Sequence, residues 1–153
     1  KDNGAAIFEL FMSYEPEYPI NKVDNEGNTP LLLAYINGNV NLCRALVKCG
    51  ACLGSTNKNG VNIFNCQVAS NTLLYKLLDF LSREPKWTDG DACSECVAKF
   101  GIKVRKHHCR HCGRVLCAKC SSKEITIPKF NLNRPVRVCE TCFDVLVMGF
   151  SAT

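Results

Sequence analysis

The sequence predicts a chain of two parts, an all-α repeat solenoid fragment followed by a small zinc-stabilised α+β domain. Three observations predict this division. Apolar residues recur with helical spacing through the first 86 residues, where Gly27 is repeated as Gly60 after 33 positions. Eight of the 12 cysteines lie between Cys93 and Cys142 as four C-x-x-C pairs. Charge changes at the same point, since residues 1–86 hold eight basic and eight acidic side chains and residues 87–153 hold 11 and six.

The placement of the cysteines argues against a secreted disulfide scaffold. Four of them are scattered through apolar, repeat-like sequence, as buried thiols of a reducing compartment are; they are Cys43, Cys49, Cys52 and Cys66. The chain has no basic and apolar leader, and the uncharged run over residues 59–75, which no other uncharged run exceeds in length, is rich in Asn, Gln and Ser. Neither a signal peptide nor a membrane span is predicted. Because Lys1 is not a natural initiator, we expect a longer parent protein.

Residues 23–53 predict two short helices joined by a turn. Thr29 can cap the first helix, and Pro30 occupies its first position, where a missing N–H costs nothing. The pair Asn37-Gly38 predicts the turn. The two apolar faces consist of Leu31, Leu33, Ala34, Leu42, Ala45 and Leu46.

This segment resembles an ankyrin repeat, which has a period of 33 residues. The resemblance divides the first half into a partial repeat (1–20), a full repeat (21–53) and a divergent capping repeat (54–86). Residues 5–13 fit the second helix of the partial repeat. The capping repeat lacks Thr-Pro, and Leu32 of the full repeat stands where many repeats have His. An unrelated helical hairpin is the alternative, which the 33-residue recurrence disfavours.

The spacing of the paired cysteines predicts two structural zinc ions. Each C-x-x-C pair can place two thiolates on one tetrahedral zinc ion, so four pairs make two closed four-cysteine sites. Closed sites leave no coordination position for water, and their binding energy stabilises a segment too short to fold alone. Redox-active pairs would need a thioredoxin-like frame, of which the sequence shows no sign.

Three elements among the cysteines resemble the signatures of a FYVE zinc finger. They are Trp87-Thr88-Asp89, RKHHCRHCG over residues 105–113, and RVC over residues 137–139. We therefore assign residues 87–153 to a FYVE-type domain. The resemblance implies crossed ligation, with one zinc ion held by Cys93, Cys96, Cys117 and Cys120 and the other by Cys109, Cys112, Cys139 and Cys142. In this chain the ankyrin repeats lead directly into the FYVE-type domain, an order that resembles the C-terminal part of endosomal proteins that contain both modules.

The run from residue 105 to residue 110 predicts a phosphate site without any family name. It contains no acid, and its donors are Arg105, Lys106, His107, His108 and Arg110. Guanidinium forks suit a phosphate dianion, and imidazoles add directional donors. A solvated basic face is the plainer alternative. Shared zinc ligation with the segment that carries Arg137 disfavours it.

The FYVE resemblance implies phosphatidylinositol 3-phosphate as the ligand. By motif, the 3-phosphate would be held by Arg105, His108, Arg110 and Arg137. Lys106 would approach the 1-phosphate, and His107 with Asp89 would read the ring hydroxyls. The commoner opening of the family is W-x-x-D, whereas this chain has WTDGD, so Asp91 is the alternative to Asp89.

The stretch between Cys96 and Arg105 alternates apolar with other residues, which alone is typical of a half-buried strand. Beside a headgroup site it resembles the membrane-inserting turret of the family, with Ile102 and Lys103 at the tip. Phe100 is assigned to the core.

Two other zinc-binding classes fit less well. A RING-type ligase needs a His ligand two or three residues before its next cysteine, but His111 lies six positions before Cys117. A nucleic-acid module would interleave stacking aromatics with the basic run, so no nucleic acid is expected as a partner.

We predict a membrane-targeting adaptor and no enzyme, because no nucleophile, base and orienting group stand together and no open metal site is expected. It would sit in the cytoplasm, peripherally on the cytosolic face of endosomes. The ankyrin repeats would bind proteins, an early-endosomal Rab GTPase by resemblance. A purely structural interaction protein is the alternative.

Overall fold

The computed structural model describes residues 3–67 and 71–149. The remaining residues of the predicted domains, 1–2, 68–70 and 150–153, lie outside this description. The first half contains helices α1 (Asn3–Tyr14), α2 (Pro30–Ile36), α3 (Val40–Lys48) and α4 (Thr72–Phe80). The second half contains strands β1 (His107–His108), β2 (Val115–Leu116), β3 (Lys123–Ile127) and β4 (Leu132–Val138), followed by helix α5 (Glu140–Met148).

Capping side chains determine where α2 and α3 begin. The Thr29 hydroxyl accepts a hydrogen bond from the Leu32 N–H at 3.1 Å, with Pro30 at the first helical position as predicted. Asn39 does the same for α3, where its Oδ1 accepts from the Leu42 N–H at 3.1 Å. Gly38, in the turn between the helices, has φ of 70°, which a glycine adopts without steric cost.

The predicted apolar face of α2 is wrong at one position. Leu33 is 39% exposed, whereas Leu32, which replaces the usual His, is only 1% exposed. Residues two positions apart on a helix point about 200° apart, so Leu33 faces away from the side that Leu31 and Tyr35 bury.

The predicted capping repeat (54–86) has one helix, α4, among its described residues. Where a first helix would stand, residues 61–67 contain one turn, at residues 63–65, which two asparagine side chains stabilise. Asn62 Oδ1 accepts from the Phe64 N–H at 2.8 Å, and Asn65 Oδ1 accepts from the Asn62 N–H at 2.8 Å. Such local side-chain bonds compete with helical hydrogen bonds.

Two short antiparallel sheets form the second half. Strand β1 pairs with β2, with His107 opposite Leu116 and His108 opposite Val115. Strand β3 pairs with β4 in a longer ribbon that is irregular between Ile125 and Ile127. Helix α5 packs on β3 and also on α4 of the repeat half. Within the described ranges, each helix is too short or too polar to cross a bilayer.

Candidate zinc centres and anion-binding site

The paired cysteines converge in two groups of four. In each group, all sulfur atoms lie within 4.8 Å of one another. The first group contains Cys93, Cys96, Cys117 and Cys120, and the second contains Cys109, Cys112, Cys139 and Cys142. Along the chain, the first and third C-x-x-C pairs form one group, and the second and fourth pairs form the other. This is the crossed arrangement that the FYVE resemblance implies.

The distances within these groups suit zinc. Four thiolates about 2.3 Å from a tetrahedral ion lie about 3.8 Å from one another. The sulfur atoms of Cys96 and Cys117 are 3.7 Å apart, and those of Cys112 and Cys139 are 4.0 Å apart. The two four-cysteine clusters therefore fit two structural zinc ions.

Backbone amides around the first cysteine of a pair favour its thiolate. The Glu95 N–H donates to Cys93 Sγ at 3.4 Å, and the His111 N–H donates to Cys109 Sγ at the same distance. Burial opposes ionisation of Cys93, but backbone hydrogen bonds from Cys96 and neighbouring residues lower its pKa to about 7. A lowered thiol pKa suits a metal ligand, because the thiolate is the species that binds.

The two groups differ in their access to solvent. All four cysteines of the second group are buried. In the first group, Cys96 is exposed and Cys120 is half-buried. His111 is enclosed beside the second group, stacked on Phe130 with ring centroids 5.5 Å apart, and burial lowers its pKa to about 3.

The basic run lies along β1, beside the end of β4. The Arg110 N–H donates to the Arg137 carbonyl at 2.8 Å, so these two arginines share one edge of the domain. The Arg137 guanidinium donates to the Ser121 carbonyl at 2.9 Å. Arg105 is exposed, and His107 is half-buried between the cations.

Trp87 forms one wall of this site. Its ring stacks on His108, with centroids 4.3 Å apart and planes 16° apart, and the Arg110 guanidinium lies 4.9 Å from its ring centre. His108 Nε2 is 2.8 Å from the Thr88 carbonyl, which can only accept, so Nε2 carries the proton of that hydrogen bond. Arg110 also donates to the His108 carbonyl at 2.8 Å.

One acid, Asp89, contacts the basic run. Its carboxylate accepts from Lys106 Nζ at 2.8 Å. This hydrogen bond, with a backbone hydrogen bond from Gly90, lowers the Asp89 pKa below its usual value. The pKa of His107 is also lowered, by burial first and then by the charges of Arg137 and neighbouring cations.

Residues 101–104 form a bend and no strand, in contrast to the alternating pattern taken alone. The Gly101 N–H donates to the Val104 carbonyl at 2.9 Å and closes the bend. Ile102 at its tip is 100% exposed, and Lys103 is exposed beside it. Phe100 is half-buried, with Lys106 Nζ 5.8 Å from its ring centre.

One buried arginine has no role in the sequence-based interpretation. Arg114 is 1% exposed, and its guanidinium donates to Glu95 at 2.9 Å and lies 3.8 Å from the ring centre of Phe64 in the repeat half. No sequence signal identified it, because its partners stand 19 and 50 positions away.

Two family models match the chain. The FYVE zinc finger matches residues 86–148, and the ankyrin repeat matches residues 26–58. The chain therefore carries an ankyrin repeat followed by a FYVE zinc finger. The predicted resemblance to both families is confirmed, and so is the predicted order of a helical part followed by a small α+β domain with two four-cysteine clusters.

Among individual proteins, the chain is similar to Rabankyrin-5. It is 65% identical to the Mus musculus protein and 63% identical to the Homo sapiens protein, in each case over 97% of this chain and 13% of the relative. The chain thus spans a small part of these relatives. Hepatocyte growth factor-regulated tyrosine kinase substrate of Drosophila melanogaster is 45% identical over 40% of this chain and 8% of that protein. The solved VHS and FYVE tandem domains of Hrs, a protein involved in membrane trafficking and signal transduction, show 42% identity and a TM-score of 0.42, over 44% of this chain and 31% of theirs.

Proposed function

We propose that this chain is a phosphatidylinositol 3-phosphate-binding adaptor that targets membranes of the endosomal pathway. The observation that carries the proposal is the convergence of β1 and β4, where Arg110 and Arg137 meet through a 2.8 Å backbone hydrogen bond beside the His107–His108 strand. A basic edge held between two zinc clusters is a preorganised site for a phosphate dianion.

In this proposal the residue roles follow the family motif. The eight cysteines ligate two zinc ions, and Arg105, His108, Arg110 and Arg137 hold the 3-phosphate. Lys106 approaches the 1-phosphate, and His107 with Asp89 reads the ring hydroxyls. The Lys106–Asp89 hydrogen bond supports Asp89 over Asp91, because it joins the acid directly to the basic run.

Membrane insertion of Ile102 and Lys103 is the second part of the proposal. A fully exposed isoleucine at a loop tip buries apolar surface when it enters the acyl boundary, and a neighbouring lysine is attracted to anionic lipid. The chain would thus sit peripherally on the cytosolic face of endosomes.

The adaptor function extends to the ankyrin half, residues 1–86, joined at residue 87 to the FYVE domain. We infer that its repeats bind proteins, with an early-endosomal Rab GTPase as the candidate. We also infer that the chain is no enzyme, since closed four-cysteine sites leave the zinc ions no open position for a substrate.

Liposome binding tests this proposal. The zinc-loaded chain should bind vesicles that carry phosphatidylinositol 3-phosphate and discriminate against the other mono- and bis-phosphorylated phosphoinositides. Arg105→Gln should weaken binding at least about tenfold, the size expected for a charge-assisted hydrogen bond. Arg134→Gln, which removes the same charge from an exposed position of β4, is the matched control. Equal binding to all phosphoinositides, or equal losses in both variants, would contradict the proposal.

A further inference from the structure

Thr88 touches both halves of the molecule. Its Oγ1 lies 3.1 Å from Sγ of Cys52 in the last full ankyrin repeat, a hydrogen bond in which either atom can donate. Its carbonyl accepts from His108 Nε2 at 2.8 Å, and its N–H donates to the Gly113 carbonyl at 2.9 Å. One residue therefore links a repeat to an imidazole of the basic strand.

A second link runs through Arg114. Its guanidinium packs 3.8 Å from the ring centre of Phe64 in the capping repeat. The Arg114 carbonyl accepts a hydrogen bond from the N–H of Cys109, the residue that follows β1, at 3.0 Å. Arg114 itself directly precedes β2. The charge of Arg114 is also neutralised within the FYVE domain by Glu95 at 2.9 Å.

The repeat fits closely against both links. A Cβ atom added to Gly54 would lie 2.6 Å from Thr88 Oγ1 and 2.9 Å from Arg114 Cγ, closer than real Cβ atoms approach such neighbours. Gly54 does not have a positive φ, so its backbone conformation alone would not exclude an alanine. Close contact with Thr88 and Arg114 is what this glycine allows.

The segment that carries Thr88 has no regular secondary structure of its own. Residues 85–90 belong to no helix or strand, yet they supply Trp87 and Asp89 to the anion site. Contacts with neighbouring elements must therefore define where this segment lies, and Cys52 and Gly54 of the repeat half provide part of them.

We propose that Thr88 is a positioning residue and that the ankyrin repeat, through Cys52 and Gly54, orients His108 and the Trp87 wall for the headgroup. The inference rests on the proposed function for its ligand, but the orientation of His108 can be measured without any ligand. The repeat half is then part of the support of the lipid site and not only a neighbouring module.

The test compares variants of the whole zinc-loaded chain. Thr88→Val removes the hydroxyl at nearly constant volume, and Thr88→Ser keeps it. Gly54→Ala pushes on Thr88 from the repeat side. Ala45→Gly, a helix-interior change in α3 away from this contact, controls for simple loss of repeat stability. Each variant is checked for two bound zinc ions.

Two measurements are made on each variant. Affinity for inositol 1,3-bisphosphate, which lacks acyl chains, should fall at least threefold in Thr88→Val and at least fivefold in Gly54→Ala. It should stay within twofold of the parent chain in Thr88→Ser and Ala45→Gly. Ring-nitrogen NMR of His108, with no ligand present, should show the Nε2-protonated tautomer in the parent chain and a loss of that signature in the two weakened variants.

The outcomes separate the two proposals. An unchanged His108 signature and unchanged affinity in Thr88→Val and Gly54→Ala would overturn the positioning role. Equal losses in Thr88→Val and Thr88→Ser, or a loss in Ala45→Gly as large as in Gly54→Ala, would overturn it as well. Failure of the parent chain to bind inositol 1,3-bisphosphate would overturn the proposed function, while the His108 signature would still decide the positioning role.

Discussion

Ile102 is an apolar residue whose side chain is fully exposed to solvent. It lies at the tip of a bend, where its side chain buries no apolar surface as long as the protein is in water. Insertion into the acyl boundary would contribute about 2–3 kcal/mol by removing its side chain from water. Ile102→Glu should therefore weaken binding to phosphatidylinositol 3-phosphate liposomes at least about tenfold, as measured by sedimentation.

The same variant should keep its affinity for soluble inositol 1,3-bisphosphate, because the substitution leaves the basic strand intact. Val23→Glu, an exposed apolar residue of the repeat half, is the matched control and should change neither assay. Parallel losses for Ile102→Glu in both assays would mean that the bend supports the headgroup site and does not insert.

Val97 carries backbone strain at the surface. It has φ of 68° and is 71% exposed, so a β-branched residue occupies the left-handed region without a packing gain. Val97→Asn should raise the free energy of unfolding by about 1 kcal/mol in urea titrations at fixed zinc excess, because asparagine tolerates this conformation.

Ala98→Gly is the control for that prediction. Ala98 follows Val97 without a positive φ, so glycine there adds chain entropy to the unfolded state and should lower stability by about 0.5–1 kcal/mol. A Val97→Asn variant less stable than the parent chain would mean that the valine side chain has a contact worth more than the strain.

Among helices and strands, local chemistry was the part that the sequence could predict. Thr29 and Pro30 predict the start of α2, because helix capping depends on residues that are adjacent in sequence. Whether the predicted capping repeat forms its first helix could not be predicted in the same way. Asn62 and Asn65 accept hydrogen bonds from nearby backbone N–H groups, which competes with helical hydrogen bonding. Which leucine of α2 faces the core depends on packing against other helices, and there the sequence-based choice of Leu33 was wrong.

The two zinc clusters should lose their ions at different rates. The cluster with exposed Cys96 and half-buried Cys120 offers a chelator direct access, whereas the other cluster is fully buried. Under limiting chelator, native mass spectrometry should pass through a one-zinc species, and alkylation of that species should label Cys96 and Cys120 first. Simultaneous loss of both ions, or first labelling at Cys139 and Cys142, would contradict this order.

For the whole molecule, the contact between the two halves is what no motif predicted. Helix α4 of the capping repeat packs on α5 of the FYVE domain. Lys129 Nζ donates to the Leu78 carbonyl at 3.2 Å and to the Asp79 carbonyl at 3.4 Å, near the C-terminal end of α4, where a cation is favourable. Family motifs describe each half separately, so a contact that spans 50 positions leaves no trace in either pattern.

This contact predicts that zinc stabilises the ankyrin half. The predicted partial, full and capping repeats number fewer than the roughly three that such arrays need for stability, so we expect the helices of the first half to depend on what covers their end. Chelation unfolds a domain whose core is two zinc clusters, and α4 then loses α5 and the Lys129 hydrogen bonds. The melting temperature of the helical signal, followed by far-ultraviolet circular dichroism, should fall when zinc is chelated. Lys129→Met, which keeps both zinc ions but removes the bonds to α4, should give a smaller fall in the same direction. A helical transition that stays at the same temperature after complete chelation would show that the repeats are stable without the FYVE domain.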